Sequence, residues 1–465
     1  MEPNGKSGRG AIPRAVRRHA LLVKILIIGA LLLILLWPLA RYNSLVAERQ
    51  ERRNQTESEI IGQWGGEQTV AGPILIVPYI ERSVDESGRK VETVSRAFFL
   101  PDTLSISGEL DPQIRSRGMY DATLYTTRLA VRGSFRGIDF SGWRVAPSDI
   151  LWEQAEVAIE LPDMRALRER TTLRWGNAAS DFHPGKGSAG LFPGEIVAAA
   201  PGLRSSAGRD TSSIPFSFDL GIQGGGSIAF LPLGDETSVR IRSSWKSPNF
   251  SGAFLPATRE LSDKGFEAEW KVLSMARAYP QRFRAGEIDA ATIHASGFKV
   301  DLMTPVDAYL KVTRALKYGI LFLVLPFAAL FLFEVFSSRG IHPLSYLFIG
   351  FADCLFYLLL LSLSEHMSFA LAYAIGSVAT CALVTVYTCA IAKSWRSGIF
   401  MLPVLAASYG FLAVVLHSED YALLIGSVGL FAILAAVMMM TRRINWYRVG
   451  RKPGETEEAA DGARG

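Results

Sequence analysis

Between Lys317 and Thr441 five apolar runs follow one another with only short polar breaks: Tyr318 to Val335, Leu344 to Leu363, Met367 to Ala392, Ile399 to Leu416 and Tyr421 to Met440. A helix rising 1.5 Å per residue needs about 20 apolar residues to cross a hydrocarbon layer of about 30 Å, and each run comes close to that length. A water-soluble core does not call for five such runs in succession. This part of the chain is therefore expected to fold against lipid.

The breaks alternate in charge. They hold Arg339 with His342, then Ser364-Glu365-His366, then Lys393 with Arg396, then His417-Ser418-Glu419-Asp420, and Arg442, Arg443 and Arg448 follow the last run. Cytoplasmic loops carry an excess of Lys and Arg, so the basic breaks belong inside and the acid and histidine breaks outside. The first of the five helices then enters from outside, and whatever precedes it must be exported. Residues 1–20 carry Lys6, Arg9, Arg14, Arg17 and Arg18, and an apolar stretch follows over residues 21–40. Its apolar part exceeds the 7 to 15 residues of a signal peptide, and Pro38 spoils the cleavage position before Ala40. An uncleaved anchor is expected, with Lys24 snorkelling to the interface and Glu334 lying at the inner interface of the next span.

Composition supports a membrane protein with a soluble part: of 465 residues 49% are hydrophobic, and the mean hydropathy is +0.21. The net charge of +5 comes largely from the termini, where orientation explains it, so no nucleic-acid partner is expected. Cys354, Cys381 and Cys389 all fall within predicted spans. The exported part must hold together without disulfides and offers no thiolate site.

Residues 41–63 are charged and helix-favouring, a stalk leaving the membrane. Beyond them VAGPILIVPYI, TVSRAFFLP, TLSISGEL, MYDATLYTTRLAVRGSF and GGGSIAFLPL are β-branched or aromatic runs bounded by Gly, Pro, Asp and Ser, which are strand signals. Ser148 to Val157 reads as helical, opened by a Ser148-Asp149 cap. Residues 177–213, rich in Gly, Ser, Ala and Pro, read as an irregular excursion within one large sandwich-like domain, with two smaller domains as the alternative. The expected fold is a six-helix transmembrane bundle (1 + 5) with a large β-rich (α+β) periplasmic domain inserted between helices 1 and 2. Its parts are a basic cytoplasmic tail (1–20), an anchor (21–40), a stalk (41–63), the β-rich domain (64–314), a five-helix block (315–441) and a cytoplasmic tail (442–465).

The segments WGGEQTVAGPILIVPY, SRGMYDATLYT, SSWKSPNFSGAFLP with GFEAEW after it, VDAYLKVTRALKYGILF, IHPLSYLFIGFADCLFYLLLLSLSEH and HSEDYALLIGSVGLFAILAAVMMMTRRINWY resemble the CreD family of bacterial inner-membrane proteins, from about Trp64 to Tyr447. The resemblance implies an inner-membrane protein of the Gram-negative envelope with one N-terminal helix, a large periplasmic domain and a helical C-terminal block. It also implies an association with cell envelope integrity, and it brings no established reaction.

Several residues are candidates for a site. Glu365 and His366 on one outer hairpin, and His417, Glu419 and Asp420 on another, have the side chains to hold a divalent metal or carry protons; capping of the helices that follow accounts for the same residues. Asp353 lies about nine residues into its span, where a carboxylate is costly, and is either a functional group or a hydrogen-bonded structural one. Lys311, Arg314 and Lys317 recur every third residue and are placed to meet anionic headgroups. Trp64, Trp143, Trp152, Trp175, Trp245 and Trp270 are expected mostly in the core of the exported domain, and His183 and His294 as isolated residues. Gly65-Gly66 and Gly224-Gly225-Gly226 lack the residues of a phosphate loop and read as turns. No nucleophile elbow, His-Glu-x-x-His or Cys-His arrangement occurs. The expected function is non-enzymatic, without cofactor: the exported domain recognises an unidentified envelope protein or lipid, while the bundle sits among membrane lipids. The alternatives are a transporter or accessory subunit using Asp353, with Ser377, Thr380 and Thr385 facing it, and a metal-dependent hydrolase built on the outer hairpins.

Overall fold

The computed structural model describes residues 20–84, 89–185, 194–203, 213–302, 308–337, 340–418 and 421–442. Two compact units divide the chain: residues 52–305 form one, and residues 1–51 with 306–465 form the other.

The boundary between them falls inside a single helix. The anchor and the stalk are continuous as α1, Ala20–Gln63, with Pro38 inside it. Residues 20–40 are apolar and residues 41–63 are rich in Glu, Arg and Gln, all of which favour helix, so nothing in the sequence stops the helix at the change of composition.

The β unit holds strands β1 (Gln68–Val84), β2 (Lys90–Phe99), β3 (Thr103–Arg117), β4 (Tyr120–Phe135), β5 (Glu156–Glu160), β6 (Thr172–Trp175), β7 (Ala178–Asp181), β8 (His183–Pro184), β9 (Glu195–Ala199), β10 (Ile214–Gly225), β11 (Ser227–Phe230), β12 (Glu236–Ser243), β13 (Pro248–Gly252), β14 (Thr258–Ser262), β15 (Gly265–Leu273), β16 (Arg282–Arg284) and β17 (Phe298–Leu302), and a short helix α2, Ala290–His294. One sheet runs β13-β17-β11-β1-β5-β9-β8, with β2 on β1 and β16 on β2; the other runs β14-β15-β12-β3-β4-β10-β6-β7. Strand β12 shows why the second sheet has two unlike faces. Thr237, Val239, Ile241 and Ser243 are buried, while Glu236, Arg240 and Arg242 are exposed, the period-2 pattern of a sheet with one face on the core. One apolar cluster gathers side chains from both sheets, with Tyr79, Phe98, Tyr125, Phe135, Phe230, Trp270 and Phe298 among its largest. The stretch from 177 to 213 supplies edge strands β7 and β8, with β9 next to β8, to the two sheets.

The helical expectation for Ser148 to Val157 is corrected. Two single-turn 3-10 segments, Pro147–Asp149 and Trp152–Gln154, lead into β5, which lies between β1 and β9. Asp149 does not cap a helix: Arg82 Nη1 donates to its Oδ2 at 2.6 Å. The β-branched Val157 and Ile159, both fully buried, fit a pleated sheet interior better than a helix. Of the tryptophans, Trp175 and Trp270 are buried on strands, while Trp143, Trp152 and Trp245 pack half-buried against the core.

The end of α1 is knitted to the β unit. Ile60 and Ile61 pack with Ala122, Leu124 and Trp64, Arg117 Nη1 pairs with Glu59 Oε2 at 2.8 Å, and the Arg115 guanidinium lies 3.9 Å from the centre of the Trp64 ring.

The helical unit continues with α3 (Ala308–Lys317), α4 (Gly319–Ser337), α5 (Pro343–Ser364), α6 (Phe369–Ala392), α7 (Trp395–His417) and α8 (Ala422–Thr441). Among the described residues α1, α5, α6 and α7 are long and apolar enough to cross a membrane; α3 and α4 form a pair bent by 47° that would make a fifth span, and residues 424–439 of α8 form a shorter apolar helix. All three cysteines lie on α5 and α6. Helices meet closely where a side chain is missing: a Cβ on Gly350 of α5 would stand 2.2 Å from Leu35 of α1 and 3.0 Å from Phe327 of α4.

Candidate functional site

Asp353 lies in the interior of the helical unit, 1% exposed. Tyr409 of α7 donates its hydroxyl to Asp353 Oδ1 at 3.3 Å, and Tyr373 of α6 donates to the Tyr409 carbonyl at 2.5 Å. Tyr357 stands one helical turn from Asp353 on α5. Phe356 packs on all three tyrosine rings, with centroid distances of 5.1 Å to Tyr357, 5.7 Å to Tyr373 and 4.7 Å to Tyr409. Among the described residues Asp353 Oδ2 and Tyr357 Oη have no hydrogen-bond partner. Leaving a buried polar atom unmatched costs about 1–3 kcal/mol, so this centre is expensive to keep.

The hydroxyls expected to face Asp353 are not hydrogen-bonded to it among the described residues. Ser377 donates to Ala374 O at 3.1 Å and Thr380 to Gly376 O at 2.9 Å, both within α6; Thr385 Oγ1 is buried without a partner among the described residues. Tyrosine is the residue type that sequence reasoning missed. Its signal is a hydroxyl-bearing ring within an otherwise apolar span, in LFYLL, ALAYA and AASYG.

On the outer hairpins the described residues do not cap the helices that follow. Glu365 ends α5, where its Oε1 accepts from Tyr309 Oη at 3.1 Å and stands 4.0 Å from Arg49 Nε. His366 and His417 are exposed, and each ring turns back on its own helix, Nδ1 lying 3.2 Å from Ser362 O and 2.9 Å from Ala413 O. Ser418 does not cap α8: its hydroxyl donates to Val414 O at 3.0 Å, finishing α7 instead, and Tyr421 is the residue before α8. A free carbonyl in the last turn of a helix draws such donors. Glu419 and Asp420 lie outside the described residues. Among the described residues no three His, Cys, Asp or Glu side chains are grouped so as to hold a metal.

A second feature of the helical unit was visible in the sequence only as two separate residues. Lys24 Nζ of α1 donates to Glu334 Oε1 of α4 and to Ile341 O, the latter at 2.8 Å, while Tyr346 Oη donates to Glu334 Oε2 at 3.1 Å. With Arg49 beside Glu365, α1 carries a charged contact to the bundle near each of its membrane ends. On α3, Tyr309, Val312, Ala315 and Leu316 are buried; Lys311 lies 5.4 Å from the centre of the Phe369 ring, Arg314 is half-buried and Lys317 is exposed.

In the β unit the outer face of the second sheet is ionic. Arg240 pairs with Glu269 and Arg242 with Glu267, each at 3.0 Å, and Arg128 engages both oxygens of Glu169 at 3.0 and 2.8 Å. A polar cavity of about 460 Å³ opens there, lined by Glu109, Asp111, Thr126, Arg128, Arg168 and Glu169 among others. Gly221 forms part of its wall, because a Cβ there would meet the Glu169 carboxylate at 2.5 Å. His294 is not isolated: its Nε2 lies 3.3 Å from Oε2 of Glu160, a carboxyl only 1% exposed. Burial raises Glu160 to about 7 and lowers His294 below its usual value. His183 pairs its backbone with Val197 and is exposed.

A profile of the family described as Inner membrane protein CreD matches residues 20–447. The chain belongs to the CreD family. The CreD protein of Escherichia coli (strain K12), described as an inner membrane protein, is 30% identical over 422 residues, which cover 90% of this chain and 92% of that relative. The match takes in both units, from the anchor through α8, so this CreD relative and the chain correspond over nearly their full lengths.

Proposed function

We propose that this member of the CreD family supports the integrity of the cell envelope without catalysing a reaction, its β unit recognising a polar envelope component or partner protein. The reading includes six spans, both termini in the cytoplasm and the β unit in the periplasm. What supports recognition is the polar cavity on the ionic face of the second sheet: Asp111 faces Thr126 across the strand pair rather than a cation. Arg168 lines the same cavity. A cavity that offers charges of both signs suits a charged or zwitterionic group.

The test is rescue of a deletion strain under envelope stress, with membrane abundance matched. Asp111→Asn with Arg168→Gln is expected to abolish rescue. A Glu365, His366, His417, Glu419 quadruple Ala variant is expected to rescue in full. Full rescue by the cavity variant would sink the recognition site; loss of rescue by the hairpin variant would return attention to the outer loops.

A second reading, a transporter or accessory subunit, is favoured by the unmatched polar atoms of Asp353 and Tyr357. It expects Asp353→Asn, which keeps the shape of the side chain and removes its titration, to lose rescue. An Asp353→Asn variant that rescues in full rules this reading out.

A further inference from the structure

Between α1 and α4 runs an apolar groove of about 610 Å³, lined by Leu26, Gly29, Ala30 and Leu36 on α1 and by Ile320 and Val324 on α4, among others. It lies beside the line along which α1 packs on the bundle, where Leu35 is fully buried against Gly350 of α5. Lys24 fixes one end to Glu334 and Ile341. Near the other end Leu39 packs on Gly319, where a Cβ would meet its methyl carbons at 3.3 and 3.4 Å. At the middle of the groove Gly29 leaves a notch, with nothing within 4 Å of the position its Cβ would take.

The end of the groove beside Leu36 and Ile320 is preceded in the chain by two cations. Lys317 precedes α4 by two residues, and Arg314 lies one turn earlier on α3, which is bent by 47° from α4. Among the described residues no carboxylate pairs with Lys311, Arg314 or Lys317. Lys311 already stands over the Phe369 ring, leaving the half-buried Arg314 and the exposed Lys317 to meet an anion. Lys317 and Arg314 therefore stand three and six residues before Ile320 at one end of the apolar wall.

We infer that this groove is a binding site for one anionic phospholipid of the bilayer, an acyl chain lying along Gly29 and Ala30 and the phosphate meeting Arg314 and Lys317. The apolar wall supplies affinity for any acyl chain; the two cations select the headgroup, because a surface Lys or Arg attracts anionic lipid by a modest amount each. The site rests on the helical unit being embedded in the membrane and is independent of which side α3 faces and of what the β unit binds.

The experiment is native mass spectrometry of the full-length protein released from nanodiscs of phosphatidylglycerol and phosphatidylcholine in equal amounts. The wild-type chain is expected to retain a single phosphatidylglycerol in preference to phosphatidylcholine by roughly 10- to 30-fold, the size of effect that two such charges give. Arg314→Gln with Lys317→Gln is expected to retain lipid without that preference. Gly29→Leu, which enters open space, is expected to retain none while unfolding at the wild-type temperature. Equal retention of both lipids by the wild type, or unchanged retention in Gly29→Leu, would overturn the site. So would a dimer mass in place of the lipid adduct, since the groove would then belong to a second copy of the chain.

Discussion

At the scale of single residues, Glu160 offers the sharpest test of the β unit. Its carboxyl titrates at 4.5 in an ordinary setting and at about 7 in the fold, where burial disfavours the charge. Between those values the folded chain keeps a proton that the unfolded chain has released, so stability is full below about pH 4.5 and declines as pH rises towards 7. His294 works in the opposite sense, since burial lowers it and protonation costs stability as pH falls below 6.5. Replacing Glu160 with Gln is expected to remove the first loss, on the order of 1–2 kcal/mol once solvent screening at the half-exposed imidazole is allowed for. Thermal unfolding followed by tryptophan fluorescence at pH 5 and pH 7.5 checks this. A wild-type and variant difference that is the same at both pH values would contradict it. Composition could not have revealed the pair, because Glu160 and His294 are brought together only when β5 and α2 take their places in the fold.

At the scale of elements, α1 depends on two features of its contact with the bundle. Breaking a mostly buried ion pair by removing one partner strands the other, at a cost of about 3–5 kcal/mol, whereas replacing both with apolar groups is often neutral. Lys24 and Glu334 are 18% and 14% exposed, so Glu334→Ala is expected to lower the unfolding temperature in detergent. Lys24→Met with Glu334→Leu is expected to recover most of it; a double variant no better than the single would show the pair to be dispensable. Gly350 is the second feature. Small residues let transmembrane helices approach, and Gly350→Val is expected to separate α1 from α4 and α5, read as faster proteolysis of α1. Undiminished protection would show that Leu35 can repack.

The same elements show what the sequence makes legible. The long apolar runs, the alternating strands and the all-helical stalk are visible because each is decided locally by periodicity or propensity. The Asp353 centre is visible only by half. A lone carboxylate in a span stands out, but three tyrosines on α5, α6 and α7 do not declare which face they share until the helices pack. Ser377 and Thr380 looked like better partners because their polarity is plain in the sequence, yet a hydroxyl one turn from a backbone carbonyl of its own helix is satisfied there. Lys24 and Glu334 could each be noticed, but not paired, across a separation of 310 residues.

At the scale of the whole molecule, the orientation is open to direct measurement. The three native cysteines lie within α5 and α6, so replacing them with Ser gives a background for single-cysteine reporters. A cysteine at Ser141 in the β unit is expected to react with a membrane-impermeant maleimide in intact spheroplasts, and one at Ser394 between α6 and α7 only after lysis. The reverse pattern would invert the proposed topology.

The order of strands in the first sheet has a further consequence, for the way the protein is made. β1 follows α1 directly and is among the first segments of the β unit to be synthesised, yet it pairs in parallel with β11, Gln68 standing opposite Ile228, and β11 pairs in turn with β17. Roughly 160 residues must be added after Gln68 before that neighbour exists. Until then the first three residues of β1, Gln68 to Val70, lack that neighbour, an unpaired strand end of the kind through which a nascent chain aggregates or recruits a chaperone. The strand that emerges first is completed late, so the yield of this protein should depend on what shelters β1 during translation.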